Sequence, residues 1–386
     1  MVRCCSITFL LVCLLGVPEA YSGNESHEHH HDHAVMADEL VEQEAMEFPD
    51  HPLVHGRLSD AAAEQRMRSF IHEWSERSKA RRSTVPVFAE YLEDLGTKRL
   101  VNWFQDREET CHGVLHDMGK VVSDLTRDLA LSISICSDAC TYACTHGALK
   151  RHYAAHGEGG ERAIREARDE LISLCQGQLL IEGFYRGNCA HAAGHAFGII
   201  AKQAGAARKL CEAFPPEMSY YCETGVFMQL MHPLFKAFKK QGGNSRAERL
   251  ANRFHYCKAN AGYLSACLRF MLPPFKKPDD FAQLGKQCES LTDRAKLGCF
   301  NALGYLARVY INNNPAEVNV ICGRGDTEAR EMCISGFAFA KKGHAGAEKI
   351  DQACRALSDQ SLSDLCLTQH ARHYYQIGNK TIARMF

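Results

Sequence analysis

Two pairs of histidines, each spaced four residues apart, are the residues of this sequence whose types and spacing could do chemistry. The stretch CHGVLHDMGK contains His112 and His116, and the stretch CAHAAGHAFG contains His191 and His195. Residues i and i+4 lie on the same face of an α-helix, so each pair offers two imidazole rings on one helical turn. Each stretch therefore has the spacing of a two-nitrogen metal-ligand set.

A fifth histidine matches this pattern. His146 follows Cys144 by two positions, just as His191 follows Cys189. Equivalent helices of a repeat array are neighbours, with axes roughly 8–10 Å apart, so histidines at matching heights can converge. Neutral imidazole suits Cu, Fe and Zn. The five histidines predict a transition-metal site, whereas a single histidine at such a position is more often a hydrogen-bonded groove residue.

Three carboxylates near these histidines are candidates for catalytic roles. Asp117, Glu182 and Glu223 could act as additional ligands, as acceptors for imidazole N–H groups or as a general base. Small residues also flank the histidines, among them Gly113 and Gly147. They would leave room for a pocket, although close helix packing explains them equally well.

The cysteines indicate the elements that position these residues. Of 19 cysteines, three lie in the first 20 residues and 16 lie between Cys111 and Cys366. Cysteines near the start of successive helices are separated by 33, 45, 33, 45, 32, 34 and 33 residues. A period near 33 is typical of helix-turn-helix arrays. The two long spacings contain GEGG and QGGN, where a loop can lengthen.

Most of these cysteines are preceded by a partner 10 to 14 residues upstream. A disulfide across each turn would join the two helices of a hairpin and add about 3 kcal/mol on the chain-entropy model. The predicted pairs are Cys175–Cys189, Cys211–Cys222, Cys257–Cys267, Cys288–Cys299, Cys322–Cys333 and Cys354–Cys366. Four other cysteines are ambiguous, because Cys111 must pair with Cys136 or Cys140, and the partner of Cys144 is equally open.

The period and the cysteine placement resemble those of tetratricopeptide-like and Sel1-like solenoids over about residues 100–386. The resemblance implies an all-α, disulfide-stapled solenoid of helix hairpins with a concave groove. We expect a signal peptide at 1–20, a disordered His-rich and acidic segment at 21–58, a helical cap at 59–105 and the repeat domain at 106–386.

Composition narrows the function classes. The 45 basic and 46 acidic residues give a net charge of −1, which provides no electrostatic case for a nucleic-acid partner. No membrane span is evident after the apolar run ITFLLVCLLGV, which is typical of a secretory signal. An even cysteine count favours disulfides and a secreted, extracellular protein. The sequons at Asn24 and Asn379 would then be glycosylation sites.

These features predict a secreted metal-dependent enzyme, of the oxidoreductase type rather than hydrolytic, that acts on a small organic substrate. The ligand set of histidines without cysteine fits copper or iron better than structural zinc, whose sites are usually closed by thiolates. The alternative is a non-enzymatic solenoid that binds a metal, a haem or a peptide in its groove. If the histidine pKa values are ordinary, metal affinity should fall near pH 6.

Overall fold

The computed structural model describes residues 50–107, 111–136, 139–154, 160–176, 183–241, 245–272, 275–338 and 344–376, and all regular structure within these ranges is helical. This confirms the predicted all-α class for the described residues. The helices are α1 (Pro52–His55), α2 (Asp60–Lys79), α3 (Val85–Arg107), α4 (Cys111–Thr126), α5 (Leu129–Ile135), α6 (Ala139–Ala154), α7 (Gly160–Gln176), α8 (Gly183–Ala201), α9 (Ala204–Cys211), α10 (Pro216–Gln241), α11 (Arg246–Asn260), α12 (Leu264–Met271), α13 (Pro278–Glu289), α14 (Asp293–Ile311), α15 (Glu317–Cys322), α16 (Thr327–Ala338), α17 (His344–Arg355) and α18 (Gln360–Gln376).

Disulfides join successive helices into hairpins. All six pairs that the spacing predicts are present, from Cys175–Cys189 between α7 and α8 to Cys354–Cys366 between α17 and α18. The structure also resolves the ambiguous group, as Cys111–Cys140 and Cys136–Cys144. The eight bridges fit a protein that passes through an oxidising, extracellular route.

The second helices of the hairpins pack against one another in chain order, from α4 through the even-numbered helices to α18. Within the pair α4 and α6, His112 contacts the Cys140 carbonyl near both N-termini, and Asp124 binds Arg151 near both C-termini. These two helices are therefore parallel, as a repeated hairpin requires.

Reciprocal glycines bring three pairs of these helices into backbone contact. A Cβ on Gly194 would lie 1.9 Å from the Cys222 carbonyl oxygen, and a Cβ on Gly225 would lie 1.9 Å from the His191 carbonyl oxygen. Only glycine permits so close an approach of α8 to α10. The equivalent glycines are Gly119 and Gly147 between α4 and α6, and Gly304 and Gly336 between α14 and α16.

Helices α2 and α3 precede the array, and α3 packs against α4. Their shared core contains an aromatic cluster in which Phe70 and Trp74 of α2 contact Phe104 of α3, with ring centroids 6.1 and 5.0 Å apart. The short helix α1 lies inside the segment 21–58 that was expected to be disordered. Val54 of α1 is fully buried, so this helix packs into the folded part of the chain.

None of the helices in the described part of the chain is long and apolar enough to cross a membrane. The predicted signal peptide at 1–20 and the sequons at Asn24 and Asn379 lie outside the described residues.

Candidate metal centre

Five imidazole rings from three neighbouring parallel helices meet at one place. Helix α4 contributes His112 and His116, α6 contributes His146, and α8 contributes His191 and His195. The ring centroid of His146 lies 5.1 Å from that of His112 and 4.9 Å from that of His191. The convergence that the spacing predicts is therefore present.

The rings within each pair approach each other through their Nε2 atoms. The Nε2 atoms of His112 and His116 are 3.2 Å apart, and those of His191 and His195 are 3.3 Å apart. Ligand nitrogens within 4.8 Å of one another form two groups of three, one made by the α4 pair with His146 and the other by the α8 pair with His146. These two groups, here called the α4 triad and the α8 triad, could each hold a metal ion.

Hydrogen bonds on the far side of three of the rings indicate which of their nitrogens carries the proton. Thr224 donates its hydroxyl proton to the Tyr221 carbonyl at 2.5 Å, so its oxygen accepts a hydrogen bond from Nδ1 of His191 at 2.6 Å. Nδ1 of His191 therefore bears the proton, and its Nε2 has a free lone pair. A metal-binding histidine commonly has its other ring nitrogen oriented in this way by an acceptor.

The same arrangement occurs at two further rings. Nδ1 of His112 donates to the Cys140 carbonyl oxygen at 2.7 Å, because a carbonyl can only accept. Nδ1 of His195 faces the side-chain oxygen of Gln229 at 3.4 Å, which is also an acceptor. Each of these rings is thereby left with an unprotonated Nε2 that points toward its partner in the pair.

In the α8 pair, the lone pair of His191 Nε2 faces Nε2 of His195 across 3.3 Å. A cation between the two nitrogens would be coordinated by both. Both ring nitrogens of His146 are buried and have no hydrogen-bond partner within the protein. A buried polar atom without a partner costs about 1–3 kcal/mol, and a metal ligand bond would remove that cost.

Burial favours the neutral form of four of these imidazoles. Desolvation, followed by the charge of His112, lowers the pKa of His116 from its usual 6.5 to about 2. Desolvation likewise holds the pKa values of His146, His191 and His195 well below the usual range. Since neutral imidazole is the metal-binding form, the site is ready to bind metal without first losing protons.

Two lysines add positive charge beside the rings. Lys120 and Lys150 lie one helical turn after His116 and His146, respectively. The charge of Lys150 contributes to the lowered pKa values of His116 and His195. Desolvation, then repulsion from Lys120, lowers the pKa of Lys150 itself. The surroundings of the histidines therefore favour an anion over a further cation at this edge.

Two of the three candidate carboxylates lie within the described residues, and both bind groups other than the histidines. Asp117 accepts hydrogen bonds from the backbone and hydroxyl of Thr84, at 3.3 and 2.7 Å, and forms an ion pair with Lys120 at 2.6 Å. It thereby links α4 to the start of α3. These contacts hold the carboxylate at the junction of α3 and α4, and its role as a base or ligand for the histidines stays a prediction.

Glu223 is likewise engaged in hydrogen bonds with other groups, and its catalytic role stays a prediction. Its carboxylate accepts hydrogen bonds from the backbone N–H groups of Gly262 and Tyr263, at 3.2 and 2.9 Å, immediately before α12. Burial, partly offset by these bonds and by Arg208, raises the pKa of Glu223 to about 7. The residue ties α10 to the turn between α11 and α12. Glu182, the third candidate, lies outside the described residues.

Sequence reasoning missed the residues that orient the rings. Thr224 occupies the second position after Cys222, the same repeat position as His191, and its polar character was the available signal. Gln229 carries no such signal, because only the packing of α8 on α10 brings it to His195.

Comparisons of this chain with protein-family models, with curated proteins and with solved structures found no match.

Proposed function

We propose that this protein is a secreted metal-dependent enzyme of the oxidoreductase type, with a transition-metal site built from His112, His116, His146, His191 and His195. The observation that carries the proposal is the pairwise approach of the Nε2 atoms at 3.2 and 3.3 Å, combined with outward hydrogen bonds that leave Nε2 of His112 and of His191 unprotonated. Bound metal, whether copper, iron or zinc, would supply Lewis-acid or redox chemistry there.

The donor set favours redox chemistry over hydrolysis. All the ligands are imidazoles, and the 16 cysteines from Cys111 onward are paired in eight disulfides, so they offer no thiolate. Imidazole ligands suit zinc, copper and iron, and of these metals copper and iron can exchange electrons with a substrate. The two described carboxylates that could have served as a hydrolytic base, Asp117 and Glu223, bind other groups.

The surroundings indicate the kind of substrate. We propose that the hairpins form a tetratricopeptide-like or Sel1-like solenoid whose concave groove admits a small organic molecule or a peptide to the histidines. Lys120 and Lys150, half-buried one turn beyond the histidines, would attract an anionic group on that substrate.

A second function has one specific observation in its favour. His146 and His195 are only 2% and 3% exposed, and a metal so deeply enclosed suits storage or sequestration. In this alternative the protein binds a metal, a haem or a peptide without turnover.

Metal content tests the proposal. The full chain is expressed by secretion, exchanged against a weak chelator and analysed for Cu, Fe and Zn by mass spectrometry. To remove loose binding by the HEHHHDH tract, its histidines are replaced by serine in all samples. We expect stoichiometric metal that is lost in His116→Ala and His191→Ala and retained in His255→Ala, an exposed control.

Turnover then separates the two functions. Oxygen consumption by the metal-loaded chain is measured with a panel of small anionic and neutral reductants. Turnover that is abolished in His191→Ala, with the fold intact, supports the enzyme. Tight metal without turnover of any reductant supports sequestration, and absence of tight metal after reloading overturns both.

A further inference from the structure

His146 occupies a special place among the five histidines. It alone belongs to both the α4 triad and the α8 triad, and its helix lies between the helices that carry the two pairs. Its side chain is 2% exposed. The centroids of the four other rings surround it at 4.9 to 5.5 Å.

The spacing within each pair is that of two ligands on one ion. Metal–nitrogen bonds of about 2.05 Å at a tetrahedral angle place two ligand nitrogens about 3.3 Å apart. The observed Nε2 separations are 3.2 Å in the α4 pair and 3.3 Å in the α8 pair. Each pair therefore has the geometry to chelate its own ion.

Both nitrogens of His146 are available to complete such a pair of sites. Nδ1 and Nε2 are each buried without a hydrogen-bond partner. A neutral imidazole bound to one ion would still leave an N–H group without an acceptor, at the cost of desolvating it. Binding at both nitrogens satisfies the whole ring.

We propose that the site is binuclear and that His146 bridges the two metal ions as an imidazolate, with one ring nitrogen in each triad. This inference rests on the proposed function, because it requires that the histidines bind metal. With bonds of about 2 Å on either side of the ring, the ions would lie about 6 Å apart. A close pair of this kind can accept two electrons from one substrate.

Binding of the two ions to the His146 ring requires no oxidant. The first ion binds a lone pair of the neutral ring, and the second replaces the proton on the other nitrogen. Two nitrogen–metal bonds form, one N–H bond breaks, and the proton leaves to solvent. The oxidation state of each ion is unchanged.

Copper(II) loading tests this inference on the full chain, again with the HEHHHDH histidines replaced. The metal-free protein is titrated with Cu(II), bound copper is counted by native mass spectrometry, and the spin signal is integrated by electron paramagnetic resonance at low temperature. We expect two tightly bound ions per chain and an integrated signal far below two spins, because an imidazolate couples the two ions magnetically.

The outcomes distinguish the bridge from the metal site itself. Two ions with a full two-spin signal, or one ion with a full one-spin signal, overturn the bridge and leave the proposed metal site standing. No tightly bound copper, iron or zinc overturns both. Spin integration of the copper-loaded wild-type chain tests the bridge without requiring that any variant folds.

Variants add a matched check. His146→Ala is expected to abolish the coupling, so that any remaining copper gives its full spin signal, whereas His232→Ala, at an exposed position, keeps the wild-type coupling. Coupling that persists in His146→Ala contradicts the bridge.

Discussion

Gly225→Ala should damage both the fold and the metal site, because this glycine determines how closely α10 approaches α8. The added Cβ would lie 1.9 Å from the His191 carbonyl oxygen and 3.0 Å from the His195 backbone nitrogen. An ordinary contact between carbon and oxygen is about 3.3 Å, so the two backbones must separate by about 1.4 Å. That movement displaces the helix that carries two of the five ligands.

Two opposing effects determine how much stability Gly225→Ala loses. Overpacking of this kind costs about 2–3 kcal/mol. The better helix propensity of alanine offsets about 1 kcal/mol of it. We expect the free energy of unfolding of the metal-free chain to fall by about 1–2 kcal/mol. Because a metal site tolerates only about 0.2 Å in its ligand distances, affinity should fall by about 10- to 100-fold.

Two glycines provide the controls. A Cβ on Gly113 meets no atom within 4 Å, so Gly113→Ala should stabilise the chain by up to about 1 kcal/mol and leave the metal bound. A Cβ on Gly304 would lie 1.9 Å from the Cys333 carbonyl oxygen, far along the array from the histidines. Gly304→Ala should therefore cost as much stability as Gly225→Ala and have no effect on metal affinity.

The assay combines chemical denaturation of the metal-free full chain with competition for Cu(II) against a chelator of known affinity. If Gly225→Ala matches Gly113→Ala in both measurements, the close contact of α8 and α10 is absent and the reasoning fails. If Gly304→Ala weakens metal binding as much as Gly225→Ala, the metal effect reflects global destabilisation and the proposed positioning is refuted.

Three further predictions follow from the contacts. Removing one hairpin bridge with the double change Cys257→Ser and Cys267→Ser should lower stability by about 3 kcal/mol, measured by denaturation, with metal content unchanged. Asp117→Asn should lower the free energy of unfolding by about 1 kcal/mol, because it weakens the hydrogen bonds to Thr84. Asp117→Asn and Glu223→Gln should both retain the metal; loss of metal in either variant would show that its carboxylate takes part in metal binding. The metal-free chain should lose stability as pH falls below about 6.5, because its buried histidines resist protons that the unfolded chain accepts. Each buried histidine contributes at most about 1.4 kcal/mol per pH unit to this loss. A denaturation midpoint that stays constant from pH 7 to 5 would contradict their burial.

The low pKa values of the buried histidines change the pH at which metal release is expected. Ordinary histidines would release metal near pH 6, whereas burial lowers the pKa of His116 to about 2. Protons therefore compete with metal in the folded site only at much lower pH. Release of metal near pH 6 would instead follow unfolding, so it should coincide with loss of helical signal in circular dichroism. Burial depth is a tertiary property, which a histidine pattern does not reveal.

Cysteine spacing predicted the hairpins well but misled about the register of α4. Counting from the cysteine places the pair His112 and His116 one position earlier than the pair His191 and His195. The close-contact glycines give the structural register instead: Gly119 and Gly194 each approach the carbonyl of the cysteine in the following helix. Three residues before each glycine lie His116 and His191, respectively, so these two are the equivalent histidines.

The offset arises from the exceptional bridge at the start of the array. Cys111 pairs with Cys140 of the next hairpin and not with an upstream cysteine, so it does not mark the same height as Cys189. The remaining histidine of each pair therefore lies on opposite sides of the equivalent position: His112 is one turn before it in α4, and His195 is one turn after it in α8. Convergence survives, because both pairs still reach His146 on the helix between them. This asymmetry depends on a disulfide pairing that spacing alone left open.

The later repeats place a different polar residue at the histidine position, and its contacts can be compared with those of the histidines. Asn301, at the repeat position of His191, accepts hydrogen bonds from Ser265 and Arg269 and donates one to the Met332 carbonyl. There the Asn301 side chain finds its hydrogen-bond partners among protein atoms. In the early repeats, by contrast, neither ring nitrogen of His146 has a hydrogen-bond partner and the Nε2 atoms of each pair lie 3.2 and 3.3 Å apart, an arrangement that a bound metal would complete.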